Sequence, residues 1–226
     1  MSGSRGSNQY QRRRSHPPGQ AVNLLAQTAA PVPPADETLL ALQTLERTVG
    51  DRTVSRVLPA VASTPGISPE LFDYLAAKAI SYAVRGDAAW WRDGVDTVLT
   101  LVRNEHCPLS TIRTIINSPL IQEYRVASAL LCYPSCPAEA FPQFVQNRNL
   151  NIRVTAASHP NCPPEVLEAM AQTGTVRRAV AGNPRTPVAV LEQLLADQDS
   201  AVSQTAAANP SLPRATLAMW QLARNT

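Results

Sequence analysis

The chain has 226 residues, of which 44% are hydrophobic but only 5% aromatic. This length suffices for one or two domains with a buried core, and the scarcity of aromatic residues favours closely spaced helices packed through small side chains. No segment approaches the roughly 18 to 20 apolar residues of a membrane span, and the N-terminus lacks the apolar core of a secretory signal. We therefore expect a cytoplasmic protein that does not enter the membrane, with its four cysteines kept as reduced thiols.

Basic charge is concentrated at the N-terminus. Residues 1–30 contain no acidic residue, and their basic residues are Arg5, Arg12, Arg13 and Arg14. The other 16 basic residues stand against 17 acidic residues, so the remainder of the chain has a net charge of −1. Residues 1–35 also lack an apolar period that could offset the entropy of ordering them. We predict that they form a disordered basic tail.

Three amphipathic stretches follow the tail and define a predicted domain over residues 36–100. Asp36 is a candidate N-cap for a first helix that stops at Gly50, and Ser68 with Pro69 is expected to open a second. A third stripe follows Gly94. Residues at helical spacing in the three stretches are Leu39, Leu42, Leu45 and Val49; Leu71, Leu75 and Ala79; and Val95, Val98, Leu99 and Val102. We interpret this domain as a helical cap with degenerate repeats.

One pattern recurs in the remainder of the chain, residues 101–226. It reads as small apolar residues, a polar or Tyr residue, Pro, two residues, Pro and then a helix. The clear copies are LLCYPSCPAEAFPQFV from 130, AASHPNCPPEVLEAMA from 156, VAGNPRTPVAVLEQLL from 180 and AAANPSLPRATLAMWQ from 206. Their second prolines are Pro137, Pro163, Pro187 and Pro213, and a weaker copy surrounds Pro108. The sequence therefore predicts a repeat array with a period of 24 to 26 residues.

The repeat predicts an all-α solenoid without a sheet. Apolar residues lie four and seven positions after each second proline, as in Leu191 and Leu194, and form one buried helical stripe per unit. Paired prolines end one helix and preset the backbone of the next. A unit of this length cannot bury its apolar face alone and must stack on its neighbours. The first half of each unit is expected to be a short α-helix or a 3₁₀ helix.

The segment VRRAVAGNPRTPVAVLEQLLAD at 176–197 resembles a unit of the variant leucine-rich repeat family. The segment IRVTAASHPNCPPEVLEAMA at 152–171 fits the same pattern, which HEAT-like helical arrays share. The resemblance implies a right-handed superhelix of α- and 3₁₀-helices, and an interaction scaffold with no reaction of its own. Some relatives carry an iron–sulfur cluster in a separate Cys-rich segment, whereas residues 1–106 of this chain contain no Cys. We expect no cofactor.

Cysteine and histidine residues at the corners raise the question of a metal site. Cys132, Cys136, His159 and Cys162 form a candidate Cys₃His zinc set in adjacent units. Successive helical layers lie about 8–10 Å apart, whereas zinc needs all its ligand atoms within about 2.3 Å. We therefore favour a packing role for the slot before each second proline, which Cys107 and Thr186 also occupy, and we predict neither a metal site nor a catalytic group.

Arginines at the start of the units are the candidate partner-binding residues. Arg153 and Arg177 follow the β-branched residue that begins a unit, Arg178 is adjacent, and Arg125 joins them only if two residues are inserted before Pro134. Such a row could bind a carboxylate-lined partner or phosphates. The arginines could equally pair with Glu168, Asp197 or Asp199.

Two functions follow from these features, and an enzyme is not among them. The first is a monomeric or weakly associating scaffold that binds an unidentified protein along the solenoid. The alternative is a nucleic-acid-binding repeat protein in which the arginine row and the tail residues Arg12, Arg13 and Arg14 contact phosphates. The pair Trp90 and Trp91 is expected to fill the core, because one of two adjacent aromatic residues on a helix points inward, with an exposed aromatic anchor as the other interpretation.

Overall fold

The computed structural model describes residues 35–85, 87–133 and 136–224. The described residues contain α- and 3₁₀-helices and no strand, which confirms the all-α prediction. None of the described helices is long and apolar enough to cross a membrane. The predicted tail, with Arg12, Arg13 and Arg14, lies outside the described residues.

Four long helices form the N-terminal part of the body. They are α1 (Ala35–Val49), α2 (Asp51–Ala62), α3 (Pro69–Val84) and α4 (Ala88–Arg103). The helix α1 already includes Asp36, so this residue does not precede it as the sequence suggested. Ser68 does cap α3, because its hydroxyl accepts from the Leu71 N–H at 3.2 Å.

A close crossing of α3 and α4 explains one glycine. Gly94 lies inside α4, so this helix begins earlier than the sequence suggested. A Cβ atom at Gly94 would lie 2.4 Å from the carbonyl oxygen of Ala79. Only glycine allows the two backbones to approach this closely. The predicted stripe of α4 is confirmed, since Val95, Val98, Leu99 and Val102 are all buried.

Shorter helices follow, with the period predicted for the repeats. They are α5 (Leu109–Ile116), α6 (Tyr124–Leu131), α7 (Phe141–Val145), α8 (Leu150–Ser158), α9 (Pro164–Ala171), α10 (Arg177–Gly182), α11 (Val188–Leu195), α12 (Ser200–Ala207) and α13 (Arg214–Arg224). Helices of the 3₁₀ type span Pro119–Gln122, Ala138–Ala140 and Gly174–Val176. From α6 onward each unit has a first helix before its corner and a second helix after it.

The apolar stripes of successive helices join into one continuous core. Leu167 and Met170 in α9 and Leu191 and Leu194 in α11 are buried at the two predicted offsets. In α13 the equivalent residues Leu217 and Trp220 are only partly buried against the core. Each helix pair therefore buries its stripe against neighbouring units, as a stacked array requires.

The corners share one turn. In five consecutive corners the residue before the second proline donates its N–H to the carbonyl oxygen three residues earlier, over 2.9–3.1 Å. The residues that accept are Asn104, Tyr133, His159, Asn183 and Asn209. The weak copy around Pro108 has the same turn, with Asn104 at the corner position.

Buried asparagines in two of these corners connect one unit to the preceding unit. The Asn183 amide donates to the carbonyl oxygens of Ala157 and His159 at 2.7 and 3.0 Å. The Asn209 amide donates to those of Ala181 and Asn183 at 2.7 and 2.8 Å. These bonds use carbonyl groups that a helix end leaves without an intrahelical partner. Stacking is thereby fixed by directed hydrogen bonds as well as by apolar burial.

Candidate functional site

A shallow groove of about 500 Å³ crosses the first helices of three successive units. Its lining residues are Val154 and Ser158 of α8, Thr175 before α10, Arg178, Ala179 and Gly182 of α10, and Thr205 of α12. All but Arg178 have small side chains, so the groove exists because short residues recur on the outward face of this layer. No single unit forms it alone.

Gly182 contributes to the groove lining a position without a side chain. A Cβ atom at this position would lie 3.5 Å from Cγ2 of Thr205, an ordinary van der Waals distance. The backbone of α10 therefore tolerates a side chain here, and the glycine leaves open space that is not needed for helix packing. Larger residues at position 182 would fill the groove without disturbing the core.

Arg178 is the charged residue of the groove lining. Its side chain is exposed, and it makes no ion pair with any residue in the described ranges. The guanidinium group of arginine binds carboxylates in a bidentate geometry. The groove can therefore hold a chain segment of small cross-section that places an acidic side chain beside Arg178.

The other predicted arginines are used inside the protein. Nη1 of Arg153 donates to the carbonyl oxygen of Asn147 at 2.6 Å, in the loop before its own helix. Arg177 lies 2.7 Å from Oδ2 of Asp197, whose side chain is only 6% exposed. Arg153 contacts the loop that precedes its own unit, whereas Arg177 contacts the loop that precedes the following unit. The two side chains therefore do not form a regular exposed row.

Arg125 lies outside the register of the other two arginines. Val126, Ile152, Val176 and Val202 are the equivalent buried residues that begin the units. Arg125 precedes this position by one residue, whereas Arg153 and Arg177 follow it by one. The two-residue insertion that would align Arg125 with them is absent from this unit. Nη2 of Arg125 pairs with Oδ1 of Asp96 at 2.9 Å instead.

Burial accounts for the cysteines that precede the second prolines. Cys107, Cys136 and Cys162 are buried, and burial raises the pKa of each thiol to about 12. Thr186 in the same slot is also buried, and its hydroxyl donates to the Val180 carbonyl at 2.6 Å. The slot before the second proline is thus a buried packing position at these four corners.

The candidate zinc set does not meet at one point. Cys132 is exposed, whereas Cys136 and Cys162 are buried. Within the described ranges, no group of three or more His, Cys, Asp or Glu residues is arranged to hold a metal ion. His159 caps its corner by accepting the Asn161 N–H on Nδ1 at 3.0 Å, and its ring packs on Phe141.

The two tryptophans differ in exposure. Trp90 packs on Tyr82, with ring centroids 4.9 Å apart, and the guanidinium groups of Arg52 and Arg85 each lie 5.1 Å from the centre of its ring. It therefore fills the junction of α2, α3 and α4, as expected. Trp91 is 38% exposed and belongs to the outer surface of α4.

Comparison with known proteins agrees with the repeat units seen in the structure. The family model of the leucine rich repeat variant matches residues 150–172 and 174–199. The first match covers α8 and α9, and the second covers α10, α11 and the turn that leads to α12. Neither a curated protein nor a solved structure matches the chain. Residues 150–172 and 174–199 are therefore repeats of the leucine rich repeat variant family.

Proposed function

We propose that this chain is a non-catalytic repeat scaffold that binds a segment of another protein in the groove centred on Gly182. The observation that carries the proposal is that three successive first helices line one groove with small side chains and a single exposed cation. Helical-repeat proteins commonly bind partners on extended surfaces that several units build together. The segment bound here would be narrow and would carry a carboxylate for Arg178.

A nucleic-acid-binding function has weaker support. Arg153 and Arg177 are engaged with Asn147 and Asp197, so they are not available to neutralise phosphates unless those contacts break. The body outside residues 1–30 carries a net charge of −1. Specific binding to nucleic acid depends on a surface that concentrates positive charge.

A photo-crosslinking experiment tests the proposal. A photoreactive amino acid at Ser158, an exposed groove residue, should give a discrete protein adduct in cells that make the protein. The matched control is Ala208, which is exposed at the equivalent position two units later and lies outside the groove. Equal adducts at both positions, no adduct at either, or a nuclease-sensitive adduct at Ser158 would contradict the proposal.

A further inference from the structure

The outward face of α13 differs from that of the preceding second helices. Five residues after the second proline, α9 has Glu168 and α11 has Glu192, and both side chains are exposed. The equivalent residue of α13 is Ala218. A single alanine of α13 thus stands where α9 and α11 have an exposed carboxylate.

Four residues form a continuous apolar stripe on α13. They are Ala215, Ala218, Met219 and Leu222, all exposed, with Met219 and Leu222 at 71% and 69%. Their spacing of i, i+3, i+4 and i+7 places them on one helix face. A stripe with this spacing is the surface with which one helix packs against another. None of its residues packs against a described part of the core.

A second stripe of the same spacing lies on α1. Its residues are Glu37, Leu40, Ala41, Thr44 and Thr48, which line a shallow apolar groove together with Leu45. Leu40 is 60% exposed. The hydroxyl groups of Thr44 and Thr48 donate to the carbonyls of Leu40 and Thr44 at 2.8 and 2.9 Å. These hydroxyls are therefore already satisfied within the helix and need no further partner when the stripe is covered.

We propose that the α13 stripe of one copy packs on the α1 stripe of a second copy. Charge favours this pairing: Arg214 lies beside the first residue of the α13 stripe, which contains no carboxylate, whereas the α1 stripe begins with Glu37 and has Arg47 near its other end. A contact between two α13 stripes would offer no carboxylate to Arg214. Aligned in the same direction, the two stripes place Glu37 beside Arg214. This surface is separate from the groove around Gly182 and does not depend on the function proposed for it.

The contact is heterologous, because one copy contributes its α13 stripe and the other copy contributes its α1 stripe. Heterologous contacts build rings or open chains, unless two copies satisfy both contacts reciprocally. The sequence predicts a monomeric or weakly associating chain, and the two exposed stripes predict an association that strengthens with protein concentration.

Two variants of the full chain test the pairing. Leu40→Glu blocks the α1 stripe and Met219→Glu blocks the α13 stripe, and both residues are exposed, so folding should persist. Sedimentation velocity of the wild type across the micromolar range should show oligomers. Each variant alone should remain monomeric, and an equimolar mixture of the two should form a dimer and nothing larger, because one intact α1 stripe meets one intact α13 stripe.

Leu109→Glu is the matched control, since Leu109 is 46% exposed and lies on neither stripe. It should associate as the wild type does. A monomeric wild type, a Leu40→Glu chain that still dimerises through α13, or a mixture that stays monomeric would overturn the proposal. Circular dichroism of each variant verifies that it remains helical.

Discussion

The side-chain amide of Asn209 donates to the backbone carbonyl of Asn183, 26 residues earlier in the chain, over 2.8 Å. Asn183 in turn donates to the carbonyl of His159 at 3.0 Å. The same two side chains accept the N–H of the residue two positions on, Arg185 and Ser211, at 2.9 Å. The asparagine at each of these two corners therefore stabilises its own turn through its side-chain oxygen and bonds to the preceding unit through its side-chain amide.

Asn183→Ala should destabilise the protein by about 2 kcal/mol, since a buried hydrogen-bonding group that loses its partner costs about 1–3 kcal/mol. The substitution removes three hydrogen bonds and leaves the Ala157 carbonyl without the Asn183 donor. The midpoint of urea unfolding measures the loss. Asn151→Ala, at an exposed site, is the control and should change stability by less than about 0.5 kcal/mol. Equal effects of the two substitutions would show that the corner bonds do not stabilise the stack.

Stability should fall with acid through His159. Burial lowers the pKa of this imidazole below its ordinary value. The unfolded chain therefore binds a proton at higher pH than the folded chain does, and the folded state loses stability as pH falls below about 6.5. His159→Asn, which introduces the residue found in the next two corners, should reduce the loss of stability between pH 7.5 and 5.5. An unchanged pH dependence in this variant would contradict the assignment.

Thiol accessibility should separate Cys132 from the other three cysteines. Cys132 is exposed, whereas Cys107, Cys136 and Cys162 are buried with their thiol pKa values raised to about 12. The thiolate is the reactive form, so alkylation of the native protein at pH 8 should modify Cys132 and spare the buried three until urea unfolds the chain. Mass spectrometry of the alkylated peptides reads this out. Fast labelling of Cys136 in the native protein would mean that its corner opens readily.

A full chain with Arg12, Arg13 and Arg14 replaced by Ala should have no appreciable affinity for nucleic acid at physiological salt. The reason is that Arg153 and Arg177 already bind groups within the protein. Fluorescence anisotropy with labelled single strands and duplexes measures the affinity. Micromolar binding that weakens steeply with salt, and that is lost on Arg178→Ala, would instead support phosphate contacts by the repeats.

The sequence predicted the units because their signals are local. Paired prolines mark each corner, and the apolar offsets that contain Leu191 recur within a single helix, so a window of one unit is enough to identify them. The contact of the Asn183 side-chain oxygen with the Arg185 N–H is local in the same way, since it lies within one corner. The amide bonds of Asn183 to the preceding unit were not anticipated, because they join residues 24 and 26 positions apart.

The groove was not predicted either, because its residues also come from different units of the chain. Ser158, Gly182 and Thr205 are unremarkable residues that become a surface only when three first helices stack. The pairing of Arg177 with Asp197 spans the whole of α11, and sequence offered it only as one of several choices. The sole available clue was that small residues recur at 158, 182 and 208, at the period of the repeat.

The most direct test of the binding account is the affinity of the partner crosslinked at Ser158 for groove variants of the full chain. Gly182→Leu should weaken that affinity at least tenfold, because it fills the groove, while it leaves thermal stability unchanged or higher, since glycine is a poor helix former. Ala208→Leu, at the equivalent exposed position outside the groove, should bind as the wild type does. Equal affinities for the wild type and Gly182→Leu would contradict the account.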